Sequence, residues 1–210
     1  MTPDPQATAQ TRARYQRISS IYDKMETLAE PRYQPWRQQL WSLVEGPTVL
    51  EVGVGTGKNI PFYPPDVHIT AIDLTPGMLA KAKARAASLN ASVFLQLGDV
   101  QALDFADNTF HQAVATFVFC SVPDPVLGLR ELLRVVKPNG RLLLLEHVRS
   151  AKPLMATLMD IFNPLIVRLS GANINRRTVA NVRHAGWQLT YEEDLDLDDI
   201  FKLLVAQPAK

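Results

Sequence analysis

Cysteine is almost missing from this chain: Cys120 stands alone among 210 residues. A single thiol excludes a disulfide framework and a thiolate-rich metal site, and no metal is expected. Long apolar runs are missing too. The best candidate for a membrane span, Leu154 to Leu169, is broken by Asp160, Asn163, Pro164 and Arg168. It falls short of the ~18 uninterrupted apolar residues that a spanning helix takes. The opening MTPDPQATAQTRAR lacks the apolar core of a secretory signal, so a cytoplasmic protein is expected. Charge of one sign is not in excess, since the formal net charge is +1, and no global polyelectrolyte role follows. No run of bases interleaved with aromatics forms a groove-sized patch, so nucleic acid is not an expected partner. Internal repeats and low-complexity tracts do not occur.

What is present suits one globular domain with a buried core, because 47% of the residues are apolar and 20% charged. A monomer is expected. The charge is unevenly spread. From Arg130 to Arg183 there are ten Lys/Arg against three Asp/Glu, whereas EEDLDLDD, from Glu192 to Asp199, holds six acids and no base. This distribution reads either as a cationic surface patch or as a solvated mixed surface.

Residues 1–10, with two prolines and few apolar groups, read as loose. Tyr15, Ile18, Tyr22 and Met25 recur at the spacing of one helical face, which predicts a helix from Thr11 to Met25. A second helix is predicted from Tyr33 to Val44. The pattern then changes to short apolar strands alternating with helices. Strands are predicted at Thr48–Val52, Val67–Ile72, Ser92–Leu97, Gln112–Phe119 and Arg141–Leu145, with helices at Pro76–Leu89 and Asp124–Val136. This alternation predicts βαβ units around a parallel sheet. An apolar helix (Leu154–Leu169), the loop GANINRR, a helix (Thr178–Ala185) and two late strands (Trp187–Tyr191, Ile200–Ala206) follow. The expected fold is α/β: a Rossmann-like, mostly parallel seven-stranded sheet with helices on both faces, a late antiparallel strand and an N-terminal helical lid. Within one domain, 1–45 is read as the lid, 46–150 as the cofactor-binding half, and 151–210 as substrate cap and final strands.

The first strand runs into Gly53-Val54-Gly55-Thr56-Gly57-Lys58-Asn59, and Asp73 ends the second strand. Glycines there let the backbone approach a ligand closely, and a carboxylate at that place can accept from ribose hydroxyls. A purely structural turn is the plainer alternative. A dinucleotide fingerprint has a third glycine spaced as G-x-G-x-x-G, but here that position is Lys58. The spacing therefore favours a nucleoside cofactor without a pyrophosphate.

The segments LEVGVGTGKN, AIDLTPGMLAKA, GDVQALDFADNTFHQAVATFVFCSVPDP and LRELLRVVKPNGRLLLLEH resemble Rossmann-like S-adenosylmethionine methyltransferases of the ubiquinone/menaquinone-biosynthesis type. Within that branch the chain looks most like bacterial phosphatidylethanolamine N-methyltransferases, on FVFCSVPDPVLGLREL, LLEHVRS and SGANINRRT. A eukaryotic branch resembling thiol S-methyltransferases shares the CSV and EHV pieces. The resemblance implies S-adenosylmethionine as cofactor and S-adenosylhomocysteine as its product. It implies that Gly53 and Gly55 pass under the methionine part, with Glu51 and Asn59 bracketing that turn in the same cofactor set. Asp73 would hold the ribose, and Leu74 and Met78 would flank the adenine. Gly98, Asp99 and Val100 would meet the adenine edge, Thr116 and Phe117 would close the methionine side, and Tyr22 of the Tyr22-Asp23 pair would lie near the cofactor.

The acceptor is read from weaker signals. Tyr15 and Tyr22 share a face of the leading helix and could dry the site and hold a cationic head group over their rings, or simply staple the helix to the core. His147, just after strand five, could take the amine proton, or be a satisfied, partly buried histidine. Arg176 and Arg177, with Arg149, suit bidentate phosphate recognition. The apolar 154–169 stretch bordered by these cations reads either as a surface for an anionic lipid interface or as a buried cap over the acceptor pocket. The expected substrate is phosphatidylethanolamine and its mono- and dimethyl products, at the inner membrane surface. The alternatives are C-methylation of a quinone precursor, S-methylation of a small thiol, and cofactor binding without transfer.

Overall fold

The computed structural model describes residues 2–209. Five strands, β1 (Thr48–Val52), β2 (His68–Asp73), β3 (Val93–Leu97), β4 (Phe110–Thr116) and β5 (Val136–His147), run parallel. With β6 (Trp187–Asp194) and β7 (Phe201–Pro208) they form one seven-stranded sheet in the order β3-β2-β1-β4-β5-β7-β6. The late strand β7 is antiparallel to both its neighbours, β5 and β6. Helices α1 (Pro5–Ile18), α2 (Tyr22–Glu26) and α3 (Glu30–Ser42) precede the sheet, and α4 (Pro76–Ser88), α5 (Pro125–Val135), α6 (Pro153–Ser170) and α7 (Thr178–His184) follow β2, β4, β5 and α6 in turn. The expected Rossmann-like architecture is therefore what the chain adopts.

Both sheet faces are covered, which is why the central strands are apolar at most buried positions, with Glu51, Gln112, Thr116 and Glu146 as buried polar exceptions. One core joins Leu50, Val52, Ala113, Ala115, Leu142 and Leu144 to Leu129 and Leu132 of α5 and Val182 of α7. The other joins Val49, Ala71, Val114, Leu143 and Leu145 to Leu40 and Trp41 of α3 and Leu79 and Ala82 of α4. Strand order reverses between β1 and β4. The crevice beyond the carboxyl ends of such strands is where open α/β sheets take ligands.

Four local expectations change. The leading helix is not one element from Thr11 to Met25. It starts earlier, at Pro5, because the Asp4 carboxylate accepts from the N–H groups of Gln6 (2.8 Å) and Ala7 (3.3 Å), an N-cap with proline at the first turn. From Pro5 on this helix is therefore ordered where a loose segment was expected, and Met1 of that segment lies outside the described residues. The helix breaks after Ile18, where the buried Ser19 turns its hydroxyl back to the Gln16 carbonyl at 2.9 Å, a bond that competes with helix continuation. Strand β4 stops at Thr116, not Phe119, because Phe117 takes a left-handed φ of +57°.

Candidate active site

The turn after β1 is tight because Gly53 and Gly57 have φ of +66° and +82°, values that side chains rarely adopt. A Cβ on Gly53 would fall 2.5 Å from Val118 Cγ2, and one on Gly57 would fall 2.6 Å from Ile60 Cδ1 and 3.1 Å from the Ala82 Cα of α4. The bare face of Gly55 meets nothing nearer than the Gly53 carbonyl, at 3.9 Å, so that the backbone there opens onto the cleft. The Asp73 carboxylate, at the end of β2, ties this loop to the next helix. One oxygen accepts from Gly55 N–H at 2.9 Å and the other from Thr75 N–H at 2.8 Å. Burial raises the Asp73 pKa, and the bonds from Thr75 and Gly55 oppose the rise. Each oxygen keeps a lone pair for a further donor.

The cleft starts here and holds about 770 Å³ of free space, counted out to its open mouth. One end is an apolar slot between Ile72, Leu74, Met78 and Val100, with Gly98 and Asp99 at its rim. Gly98 packs against Ile72, since a Cβ there would lie 3.0 Å from Ile72 Cδ1. The Asp99 carboxylate accepts from Gln101 N–H at 2.9 Å and from the Thr8 hydroxyl of α1 at 3.4 Å. The other end is walled by Thr116, Phe117, Val118, Ser121, Val122 and Pro123, and α1 and α2 cover it with Thr11, Tyr15 and Tyr22. The Tyr15 and Tyr22 rings lie 6.4 Å apart, tilted by 52°. The Tyr15 hydroxyl makes a short hydrogen bond with the Ser121 hydroxyl. Burial pushes both tyrosine pKa values well up, so both remain neutral phenols at physiological pH.

Behind the glycine turn lies a polar network. Asn59 donates to Glu51 at 2.6 Å and to the Thr116 hydroxyl at 3.0 Å, and Arg37 of α3 donates to Asn59 Oδ1 at 3.0 Å. Tyr63 also donates to Glu51. Desolvation pushes the Glu51 carboxyl up to about 7 despite these donors. The leading helices are strapped to the same turn by charge. Lys58 meets Glu26 of α2 and Glu30 of α3, each at 2.9 Å, Glu30 in turn braces Arg37 of the same helix at 3.1 Å, and the Thr56 hydroxyl donates to Asp23 at 2.6 Å.

Tyr15, Tyr22, Gly53, Gly55, Asp73, Leu74, Met78, Gly98, Asp99, Val100, Thr116 and Phe117 are thus brought to one cleft. Six of the expected residues are not. Glu51 and Asn59 lie behind the loop, buried, and act on it through Thr116 and Arg37 rather than facing the cleft. His147 sits edge-on to Phe201 at 5.2 Å, because β7 pairs beside β5 there, and burial lowers its pKa to about 4. Arg176 is turned to the chain itself, donating to the carbonyls of Val122 at 2.7 Å and Cys120 at 3.4 Å. Arg149 is paired with Asp160 of α6 at 2.7 Å, and Arg177 is an exposed N-cap of α7. Arg176 and Arg177 therefore do not form a joint phosphate fork. Sequence reasoning missed Thr11, Ile72, Thr75, Gln101, Val118, Ser121, Val122 and Pro123 of the lining. All but Thr11 either adjoin a marked residue or lie in the quoted FVFCSVPDP segment, which was the available signal.

Residues 50–144 match the family model of a methyltransferase domain. That stretch, somewhat less than half of the chain, is a methyltransferase domain. Over 114 residues it is 38% identical to a phosphatidylethanolamine N-methyltransferase of Cereibacter sphaeroides, covering 53% of this chain and 56% of that one. A thiol S-methyltransferase of Rattus norvegicus is 33% identical over 143 residues, covering 66% of this chain and 59% of that one. A demethylmenaquinone methyltransferase of Clavibacter sepedonicus is 29% identical over 191 residues, covering 85% and 76%. The matches thus span less than two thirds of the first two relatives' length. A solved S-adenosylmethionine-dependent methyltransferase from Thermotoga maritima superposes with a TM-score of 0.71 at 19% identity, over 93% of this chain and 99% of that one, which shows the fold.

S-adenosylmethionine is the cofactor of this methyltransferase domain. The residues present fit it. Asp73 has lone pairs free for a ribose diol, the apolar slot by Asp99 suits an adenine, and the bare backbone at Gly55 lets the amino-acid end approach.

Proposed function

We propose that the protein transfers a methyl group from S-adenosylmethionine to the amine nitrogen of phosphatidylethanolamine and then to the mono- and dimethyl products. The observation that carries this reading is the aromatic cover of the cleft, the Tyr15 and Tyr22 rings 6.4 Å apart, with Phe117 in the same lining. Aromatic rings attract a quaternising nitrogen, and dry surroundings strengthen the attraction. The likeness to a phosphatidylethanolamine N-methyltransferase supports the same acceptor.

When bound, the cofactor supplies a sulfonium-activated methyl group. The chain's task is alignment and exclusion of water. Asp73 and Asp99 fix the nucleoside end, Thr116 and Phe117 bound the methionine end, and Tyr15, locked onto Ser121, sets the wall facing the acceptor. With both tyrosines held as neutral phenols, this end offers rings and hydroxyl oxygens rather than a strong base. The acceptor ammonium therefore loses its proton to water before transfer, and the tyrosine oxygens orient the free amine.

The experiment is purified protein with methyl-labelled cofactor and vesicles containing phosphatidylethanolamine, with products identified by mass spectrometry. Label in mono-, di- and trimethylated lipid is expected. Label in a demethylquinone or a small thiol, and none in lipid, would overturn the assignment. Binding of cofactor with no product from any of the three would leave a non-catalytic binder.

A further inference from the structure

Helix α6 is inside-out. Of its 18 residues only Ala156 and Met159 are buried, whereas Leu154, Leu158, Ile161, Phe162, Leu165 and Leu169 are all exposed, Leu154 to 76% and Leu169 to 67%. At 3.6 residues per turn these six fall within an arc of roughly 100°. An apolar stripe of this continuity on the outer face of a globular domain marks an interaction surface. It also decides against the reading of this stretch as a buried cap.

Charge identifies the occupant. The C-terminal end of α6 abuts α1, because a Cβ on Gly171 would lie 3.5 Å from the Tyr15 ring and 3.6 Å from Arg14 Cδ. Helix α1 contains no acidic residue. Arg14 and Arg17 of α1, and Arg168 in the last turn of α6, have no acidic partner among the described residues. The one acid on α6, Asp160, is taken by Arg149. An apolar stripe ending in unpaired guanidinium groups has the make-up of a helix that lies in the interface of an anionic bilayer. A second copy is disfavoured, because the patch would offer these arginines no free carboxylate: α1 has no acid, and Asp160 of α6 is taken by Arg149. No helix among the described residues is long and apolar enough to cross a membrane, so the contact is one of lying on the surface.

We propose that the outer face of α6, with Arg14, Arg17 and Arg168, docks the protein onto an anionic lipid surface. The junction at Gly171 touches Tyr15, and Tyr15 lines the cleft, so docking sets the aromatic end beside the bilayer. This surface stands on the geometry of α1 and α6 and not on the identity of the methyl acceptor.

The test is flotation, without turnover, on phosphatidylcholine vesicles with and without phosphatidylglycerol. Wild-type protein is expected to float with the anionic vesicles and to release as salt rises, since screening shortens the reach of surface charge. Arg17→Gln and Arg168→Gln should each weaken partitioning on the order of fivefold on anionic vesicles only. Phe162→Glu with Leu165→Glu, both on the exposed stripe, should abolish flotation while S-adenosylhomocysteine affinity stays unchanged, which separates lost docking from lost fold. Three results would overturn the proposal: wild-type protein that stays at the bottom with anionic vesicles, stripe variants that float as wild type, or a concentration-dependent dimer that the stripe variants dissociate and that does not float. Flotation reads lipid contact alone, so failure of the phosphatidylethanolamine assignment leaves it untouched, and the reverse.

Discussion

Replacing Asp73 by Asn changes one atom's chemistry and almost no volume. The carboxylate now serves three sets of donors: Gly55 N–H at 2.9 Å, Thr75 N–H at 2.8 Å, and, in the bound state, the ribose hydroxyls. An amide has one accepting oxygen, so one backbone N–H and one ribose hydroxyl would face an NH₂ group. Hydrogen bonds to a charged group contribute about 1.5–3 kcal/mol. Loss of the ribose bond should therefore weaken S-adenosylhomocysteine binding on the order of 10- to 150-fold. The abandoned backbone donor should cost a further ~1–3 kcal/mol of stability. Calorimetry measures the first and denaturant unfolding the second. A chemical double-mutant cycle isolates the ribose contribution: an S-adenosylhomocysteine analogue without ribose hydroxyls should bind the wild type weakly and should bind Asp73→Asn no worse than S-adenosylhomocysteine does. If the variant, still folded, binds the cofactor product with wild-type affinity, or discriminates the analogue as strongly as wild type, the ribose assignment is wrong.

Gly53→Ala should destabilise the fold by about 2–4 kcal/mol, from the left-handed backbone and the contact 2.5 Å from Val118, and a midpoint equal to wild type in denaturant would count against this packing. Tyr15→Phe keeps the ring but loses the bond to Ser121; the acceptor KM should rise on the order of tenfold with cofactor affinity unchanged, and equal effects on both would refute a role at the acceptor end. Glu51 has its pKa raised from 4.5 to about 7, so the fold binds its proton more tightly than the unfolded chain does. Its contribution is complete below about 4.5 and is lost as pH rises through about 7, and Glu51→Gln should therefore gain on the order of 3 kcal/mol over wild type by about pH 8; parallel pH profiles of unfolding for the two proteins would sink this. For transfer to an amine, log rate should climb with pH towards the amine's own pKa with no break from Tyr15 or Tyr22, both of which are raised; a break that Tyr15→Phe removes would assign the proton to that hydroxyl.

The cofactor end was legible because its signals are local. Gly53, Gly55 and Asp73 do in space what their strand-turn placement implies. The start of α1 was written in Asp4-Pro5, a cap followed by a first-turn proline, but composition over the first ten residues masked it. His147 was placed correctly along its strand and wrongly across the sheet. Its neighbour Phe201 comes from β7, 54 positions later, and no period in the sequence announces which strand inserts beside β5. The stripe on α6 shows the same limit. Its spacing reveals an amphipathic helix, yet only the tertiary contacts of Ala156 and Met159 show that the apolar side faces outward. Arg176 looked like half of an anion fork, but it spends its donors on carbonyls that no linear reading pairs with it.

The strap between the leading helices and the glycine turn makes cofactor capture and helix ordering reciprocal. Lys58 clamps Glu26 and Glu30, Asn59 holds Arg37, and Thr56 clamps Asp23, so any ligand that stiffens the turn also stiffens α2 and α3, by the same free energy with which those helices favour the ligand. A protease that cuts between α1 and α3 thus becomes a gauge of cofactor occupancy. Its rate should fall as S-adenosylhomocysteine is added, and the protection should largely survive added salt, because the Lys58 side chain and its acidic partners are mostly buried and screening reaches such pairs weakly.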